Sequence, residues 1–206
     1  PVFLSGMPDR AKGLYLANRN DNLTPVGLAL CLEKACRRNP KGTALIFEDR
    51  ELNYRQFNAW VNRLADGLAK MGTQKGDVIA VFIENRPELL VCIAAIAKVG
   101  AVSALVNTSQ RGAVLEHSIK LVKPSRIIVG EELFPALDEV QAVLPKGANA
   151  RLYLSDCDTL HEPTSAPNGW ADLADKARSG SDKNPASSQN QRASDPFCYF
   201  YTSGTT

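Results

Sequence analysis

The chain has 206 residues, with 24 Lys and Arg against 22 Asp and Glu, so its formal net charge at pH 7 is +2. This near-balance excludes an electrostatic case for nucleic acid or an acidic membrane as the main partner. Hydrophobic residues make up 44% and charged residues 22%, which excludes wholesale disorder. The longest apolar run, residues 89–97, stops at Lys98, well short of the ~18 residues that a membrane helix needs.

The first 40 residues are predicted to be a lead-in followed by a helix. Thr24 and Pro25 are typical of an N-cap and a first helical turn. Apolar residues then recur at helical spacing until Pro40 ends the helix. The chain begins with Pro1 and shows no signal peptide, so we expect its natural start to lie upstream.

Residues 41–178 are predicted to form an α/β subdomain. Two short extended runs, 44–47 and 50–53, predict a hairpin. A long helix follows, in which Asn53 and Gln56 resemble a capping box and Gly72 marks the end.

Beyond Gly72, apolar strands alternate with helical stripes. The predicted strands cover residues 77–83, 101–106, 126–129 and 151–154. The predicted helices cover residues 87–97, 115–122, 133–144 and 170–177. This alternation is typical of an α/β fold with a mostly parallel sheet and helices on both faces.

The composition changes after this block. Residues 179–196 contain no large apolar side chain and are rich in Ser, Asn, Gln and Asp, which predicts an exposed polar loop or linker. Residues 197–206 are predicted to be a strand, with aromatic side chains that fill the sheet core, and the start of a loop. That loop consists of Thr202, Ser203, Gly204, Thr205 and Thr206.

The terminal loop suits an anion. Small residues allow a sharp turn whose N–H groups face one concavity, and hydroxyls add donors for phosphate oxygens. Doubly wound sheets also bind ligands at the carboxyl ends of their strands. Neither Gly-x4-Gly-Lys-Ser/Thr nor Gly-x-Gly-x-x-Gly occurs. On spacing alone, an ordinary turn fits these residues too.

Three stretches in order carry a resemblance to a known family. Residues 52–57 resemble a Leu-Thr-Tyr-x-Glu-Leu element, and residues 199–206 resemble the start of a phosphate-loop signature. Residues 81–89, 97–101 and 105–108, with Arg111, Leu115, His117 and Ser118, resemble one branch of that family. The chain is thus similar to the acyl-adenylate-forming (AMP-binding) superfamily, in the fatty acid transport protein or very-long-chain acyl-CoA synthetase branch. Where this branch has Asn-x-Asn-Leu-Arg, residues 107–111 read Asn-Thr-Ser-Gln-Arg.

The resemblance implies the first subdomain of the N-terminal domain of an AMP-binding synthetase. In that family a carboxylate attacks ATP, with Mg²⁺ bound, to give acyl-AMP and pyrophosphate, and coenzyme A then forms the thioester. Thr202, Ser203, Gly204, Thr205 and Thr206 are implied to contact the ATP phosphates, with Tyr201 near the site. The ligands of magnesium, ribose, adenine and coenzyme A would follow Thr206, as would the loop lysine. We therefore expect an N-terminal part that stops inside its own loop and is inactive alone.

The favoured function is an ATP-dependent long- or very-long-chain fatty acyl-CoA synthetase. We expect the whole protein in the cytoplasm, with peripheral membrane association left open and no nucleic-acid partner. Two alternatives stay open. One is a ligase for another carboxylate, such as carnitine or a bile acid, or an adenylation domain; the other is a non-catalytic module that binds fatty acid or nucleotide.

The other chemically notable residues are interpreted as structural. The cysteines, expected to be reduced packing residues of a cytosolic protein, are Cys31, Cys36, Cys92, Cys157 and Cys198. We expect His117 and His161 to lie at the surface. We expect Lys98 and Arg111 to be solvated, and Trp60 and Trp170 to be packing anchors.

Overall fold

A computed structural model describes residues 25–147, 149–155 and 164–201. These residues form one six-stranded sheet with helices on both faces, and a separate two-stranded hairpin. Every neighbouring pair in the six-stranded sheet is parallel. The predicted fold class is therefore confirmed.

The elements follow the predicted alternation closely. Those of the first half are helix α1 (Leu28–Arg38), strands β1 (Thr43–Phe47) and β2 (Arg50–Asn53), helix α2 (Tyr54–Lys70), strand β3 (Val78–Phe82), helix α3 (Pro87–Val99) and strand β4 (Val102–Leu105). Those of the second half are helix α4 (Gly112–Val122), strand β5 (Arg126–Gly130), helix α5 (Phe134–Asp138), strands β6 (Arg151–Leu154) and β7 (Ala171–Asp172), helix α6 (Leu173–Arg178) and strand β8 (Cys198–Phe200). Three short 3-10 turns are Glu131–Leu133, Gln141–Val143 and Ala186–Asn190.

The core has two layers, one on each face of the sheet. In β3, Ile79 and Val81 pack in the layer with α2, α3 and α6. Ala80 and Phe82 pack in the other layer, with α4 and α5. All four side chains are buried, because a parallel sheet covered on both sides has no face left for polar residues.

The capping box at the start of α2 is confirmed. The Asn53 Oδ1 atom accepts a hydrogen bond from the Gln56 N–H at 2.9 Å, and the Gln56 Oε1 atom accepts one from the Asn53 N–H at 3.0 Å. Two backbone donors at the helix start, which have no partner within the helix, are thereby satisfied. The hairpin of β1 and β2 before it is also as predicted.

The first helix begins later than predicted. Thr24 lies outside the described residues, and Pro25 forms an isolated bridge with Arg192 instead of a helical turn. The residue that precedes the helix is Gly27, which is extended, with φ 160° and ψ 169°. The predicted end is confirmed, since α1 ends at Arg38 with Asn39 as its C-cap.

Two of the predicted helices are wrong in extent. The apolar stripe from 133 to 144 is not one helix but α5 between two 3-10 turns. Pro135 lies in the first turn of α5 and has no N–H to continue a helix begun upstream of it. The stripe still packs in the second layer, because successive short turns place the same residues inward. The helix predicted from 170 begins at Leu173, since residues 171 and 172 pair with β6.

The end of the described chain corrects another expectation. Tyr199 and Phe200 do not fill the core: their exposed fractions are 40% and 69%. The reason is the position of β8, which is the edge strand of the sheet among the described residues and pairs only with β4. Residues 179–196 form a loop as expected, but Ser188 and Gln191 within it are buried. The four-part division of the chain stays a prediction.

The capping box yields a stability prediction. Replacing Asn53 by Ala removes the acceptor for the Gln56 N–H, so we expect the free energy of unfolding to fall by about 1 kcal/mol. Urea denaturation followed by circular dichroism measures the change. The control variant Asn53→Asp keeps an acceptor at the same place and should retain wild-type stability. Equal stability of Asn53→Ala and wild type would contradict the role given to the cap.

Candidate functional site

The sheet has a topological switch point between β3 and β5. The strand order is β7-β6-β5-β3-β4-β8, so the chain leaves β3 towards β4 on one side and leaves β5 towards β6 on the other. In open α/β sheets such a point leaves a crevice at the carboxyl ends of the two strands, where ligands bind. At this point of the structure Arg86 is buried and bonds to groups that follow β5 and end β6.

Arg86 ties together the carboxyl ends of three strands. It follows β3, and its guanidinium donates to the Leu154 carbonyl oxygen at 3.0 Å, at the end of β6. Its Nη2 atom also lies 3.4 Å from a carboxylate oxygen of Glu132, which follows β5. The same glutamate accepts the Glu84 N–H at 2.8 Å. The turn after β3 is therefore held rigidly against β5 and β6.

Glu88 is the buried counter-ion of this network. Its side chain is fully buried in the first turn of α3 and lies 3.0 Å from Arg86 and 3.3 Å from Arg50. The Arg50 guanidinium in turn lies 5.6 Å from the centre of the Trp60 ring, within the range of a cation–π contact. Because a buried carboxylate needs compensation, both arginines stabilise the start of α3.

One open cavity lies beside the switch point, on the β4 side of β3. It encloses about 250 Å³ and is formed at the carboxyl ends of β3, β4 and β8. Its walls are mostly apolar; the residues that line it are Val81, Ile83, Asn85, Leu89, Leu105, Val106, Asn107, Thr108, Phe200 and Tyr201. An apolar cavity with a few polar groups at its rim is the usual form of a small-molecule site.

The polar rim of the cavity after β4 is a turn held by hydrogen bonds among its own residues. The Asn107 Oδ1 atom accepts the Ser109 N–H at 2.9 Å, and its carbonyl oxygen accepts the Gln110 N–H at 3.0 Å. Arg111 donates to the carbonyl oxygens of Thr108 and Gln110 and is exposed, as predicted. This rim is consequently fixed before any ligand arrives.

Tyr201 connects the cavity to the predicted phosphate loop. It lines the cavity directly after β8, and its hydroxyl donates to the Ser118 carbonyl oxygen of α4 at 2.7 Å. Burial raises the pKa of this phenol, in the direction that favours the protonated hydroxyl that donates to α4. Thr202, Ser203, Gly204, Thr205 and Thr206 lie outside the described residues, and their assignment to ATP phosphates stays a prediction.

Several predicted structural residues lie where expected. His117 is exposed, whereas His161 and Cys157 lie outside the described residues. Trp60 and Trp170 pack against the two core layers. Cys92 is buried, and burial raises the pKa of its thiol to about 12. The four cysteines of the described segments are free, but Cys31 is exposed, so the packing role predicted for it is wrong.

Lys98 is the main correction. It was expected to be solvated, but its side chain is fully buried and lies 3.1 Å from Glu33. Only its position directly after the apolar run 89–97 indicated burial; the sequence does not show which residues compensate the charge. The Arg86 network was also missed. Its one sequence signal is that Arg86 and Glu88 flank the proline that starts α3.

The described residues show neither a metal cluster nor a membrane span. No group of three or more His, Cys, Asp and Glu side chains among them is placed to hold a metal ion. Within the same segments, every helix is too short or too polar to cross a bilayer.

The Arg86 network yields a second stability prediction. Arg86→Leu leaves Glu88 buried with less compensation, so we expect the free energy of unfolding to fall by about 3–5 kcal/mol. Arg55→Leu, at an exposed arginine of α2, is the matched control and should change it by about 0.5 kcal/mol or less. Urea denaturation of both variants is the measurement. Similar losses in the two would show that Arg86 is not a structural tie.

Comparisons with known proteins match this architecture. Residues 32–206 match the family described as AMP-binding enzyme. The chain is 34% identical over 162 residues to the medium/long-chain-fatty-acid–CoA ligase FadD6 of Mycobacterium tuberculosis. The aligned region covers 79% of this chain and 24% of that protein. It is 29% identical over 174 residues to long-chain fatty acid transport protein 6 of Mus musculus, over 82% of this chain and 26% of that protein. The chain thus spans about a quarter of the length of these relatives.

A solved structure shows the same fold. The crystal structure of the anthranilate CoA ligase AuaEII in complex with anthranoyl-AMP superimposes with a TM-score of 0.78 and 20% identity. The superposition covers 92% of this chain and 34% of that one. At this identity the likeness concerns the fold alone.

Proposed function

This chain belongs to the AMP-binding enzyme family, and we propose that it is the N-terminal part of an ATP-dependent fatty acyl-CoA synthetase. In this proposal the whole enzyme joins a long- or very-long-chain fatty acid to coenzyme A. ATP is converted to AMP and pyrophosphate through an acyl-AMP intermediate. Thr202, Ser203, Gly204, Thr205 and Thr206 bind the ATP phosphates.

One observation supports this proposal above the others: Tyr201, the residue directly before Thr202 in the sequence, lines the cavity. β8 pairs with β4 in parallel, so the ends of both strands reach the same edge of the sheet. Tyr201 then lines the cavity and anchors the chain to α4. A loop that begins here starts beside an apolar cavity, which suits a substrate that carries an apolar chain next to a reacting carboxylate.

The reaction demands positioning above all. A carboxylate and a triphosphate are both anions, so in-line attack at the α-phosphate needs a fixed geometry and neutralised charge. The chain's own contribution is a rigid strand end and, in this proposal, N–H and hydroxyl donors after it. Mg²⁺, when bound, supplies charge neutralisation at the phosphates; we place its ligands outside the described residues.

The proposal also covers the carboxylic acid substrate, the cellular location and the partners of the whole protein. We propose fatty acid, ATP and coenzyme A as its ligands and the cytoplasm as its location. The similarity to a long-chain fatty acid transport protein supports peripheral contact with membranes, where such acids partition. Carnitine and bile acids remain the alternative substrates.

The phosphate role predicts the effect of removing hydroxyls. In the complete protein that carries this chain, the triple variant Thr202→Ala, Ser203→Ala, Thr205→Ala should form pyrophosphate about 10²–10³-fold more slowly, because lost donors no longer stabilise the reacting phosphates. Ser109→Ala removes an exposed hydroxyl at the same edge of the sheet and should leave the rate unchanged. Pyrophosphate release with palmitate is the readout, and unchanged turnover of the triple variant would remove the phosphate role.

A substrate panel distinguishes the proposed function from its alternatives. We expect the complete protein to release pyrophosphate fastest with long or very long fatty acids, and the 206-residue chain alone to form no acyl-CoA. Faster release with carnitine or a bile acid would replace the substrate assignment. No release with any carboxylate would favour the non-catalytic binding module, and robust synthesis by the isolated chain would refute the division of the site.

A further inference from the structure

The polar segment before β8 is bound along one face of α2. Asn58, Asn62 and Asp66 are spaced four residues apart on this helix, so they lie on one face of it. The Asp66 carboxylate accepts the Ser181 N–H at 3.0 Å, and Asn62 donates to the Asp182 carbonyl oxygen at 2.6 Å. The Lys70 ammonium, and after it this Ser181 N–H, hold the pKa of Asp66 below its ordinary value. The beginning of the segment therefore follows the helix surface.

At the Asn58 end of this row of side chains lies the buried Lys98. Lys98 donates to the Oδ1 atoms of Asn58 and Asn184, each at 2.9 Å. The same Asn184 oxygen accepts from the Nδ2 atoms of Asn58 at 2.9 Å and Asn62 at 3.0 Å. One amide oxygen of the segment thus receives donors from two helices.

Glu33 compensates the charge of Lys98. Its carboxylate, on α1, is almost fully buried and also accepts from Gln189 of the segment at 3.2 Å. Burial lowers the pKa of Lys98, whereas the attraction of Glu33 raises it. Since a buried cation without partners is strongly unfavourable, the segment completes a polar site that the helices leave open.

Further bonds carry the segment from this cluster to β8. Ser187 donates from its Oγ atom to the Lys98 carbonyl oxygen at 2.7 Å, and Gln191 donates to the Ala97 carbonyl oxygen. Lys75 binds both the Asn190 carbonyl oxygen at 3.0 Å and the Asp195 carboxylate at 2.7 Å. Two residues after Asp195, the Phe197 carbonyl oxygen accepts the Ser103 N–H of β4 at 2.9 Å. The pairing of β8 thus begins directly where the bound segment ends.

We propose that Lys98, acting through Asn184, is a positioning residue for β8 and for the loop that starts at residue 202. This role rests on the proposed function, in which that loop binds the ATP phosphates. Lys98 lies at the opposite end of α3 from the cavity and is not among the residues that line it. Its effect reaches the cavity edge through the bound segment and the pairing of β8 with β4.

The decisive variant is Asn184→Ala, because Asn184 is an exposed residue whose truncation leaves no cavity in the core. In the 206-residue chain we expect amide hydrogen exchange at residues 198–201 to become about tenfold faster or more, because the variant removes the oxygen that accepts from Lys98, Asn58 and Asn62. In the complete protein we expect the KM for ATP to rise by a similar factor. The kcat at saturating ATP and fatty acid should change less than twofold.

Two controls separate positioning from a general loss of structure. Asn184→Asp keeps an oxygen that accepts from Lys98 and should restore wild-type exchange and KM. Lys183→Ala removes the neighbouring exposed side chain and should change neither. Wild-type exchange at residues 198–201 in Asn184→Ala overturns the proposal, as does a fall in melting temperature with the KM for ATP unchanged.

The hydrogen-exchange experiment is independent of the proposed function. If the complete wild-type protein releases no pyrophosphate with any carboxylate, the proposed function fails, and the exchange rates alone decide whether Lys98 and Asn184 position β8. Lys98→Met removes the charge at similar size and should also speed exchange at residues 198–201. Normal exchange in a folded Lys98→Met variant overturns the proposal, and Asn184→Ala decides the question if that variant does not fold.

Discussion

Helix α3 carries a buried charge at each end, and side chains of opposite charge outside the helix compensate each one. Glu88, in the first turn, lies between Arg86 and Arg50, and Lys98, in the last turn, lies against Glu33. Each charge has the sign that the helix dipole favours at that end. Between them the helix is apolar and packs against the sheet. Because α3 connects β3 to β4, fixing its two ends also fixes the two strands whose carboxyl ends form most of the cavity.

Periodicity was sufficient for most of the fold. The strands β3, β5 and β6 are short apolar runs between helical stripes, and burial on both faces leaves that pattern little freedom. The start of α2 was equally readable, because a capping box consists of residues only three apart. The single helix predicted from 133 to 144 was wrong because of a backbone property. Pro135 can lie in the first turn of a helix, but a helix cannot continue through it from upstream.

Distant partners could not be read in the same way. Lys98 is 65 residues from Glu33 in the sequence and 86 residues from Asn184. Nothing in the sequence around the lysine indicates that these residues are its partners. The aromatic residues 199 and 200 look like core residues because β-propensity does not distinguish a central strand from an edge. The switch point is a further example: topology predicts an opening there, but the buried Arg86 side chain bonds to Leu154 and Glu132 at the ends of the neighbouring strands. For residues 202–206, the phosphate assignment still rests on family resemblance.

The exposed edge of β8 has a practical consequence for work with the chain in isolation. Phe197, Tyr199 and Phe200 present large apolar surfaces beside backbone groups that have no strand next to them in the described part of the chain. Such an edge is a template for intermolecular pairing. We therefore expect concentrated preparations of this chain to form sheet-extended oligomers through β8, and dilution to reverse this association.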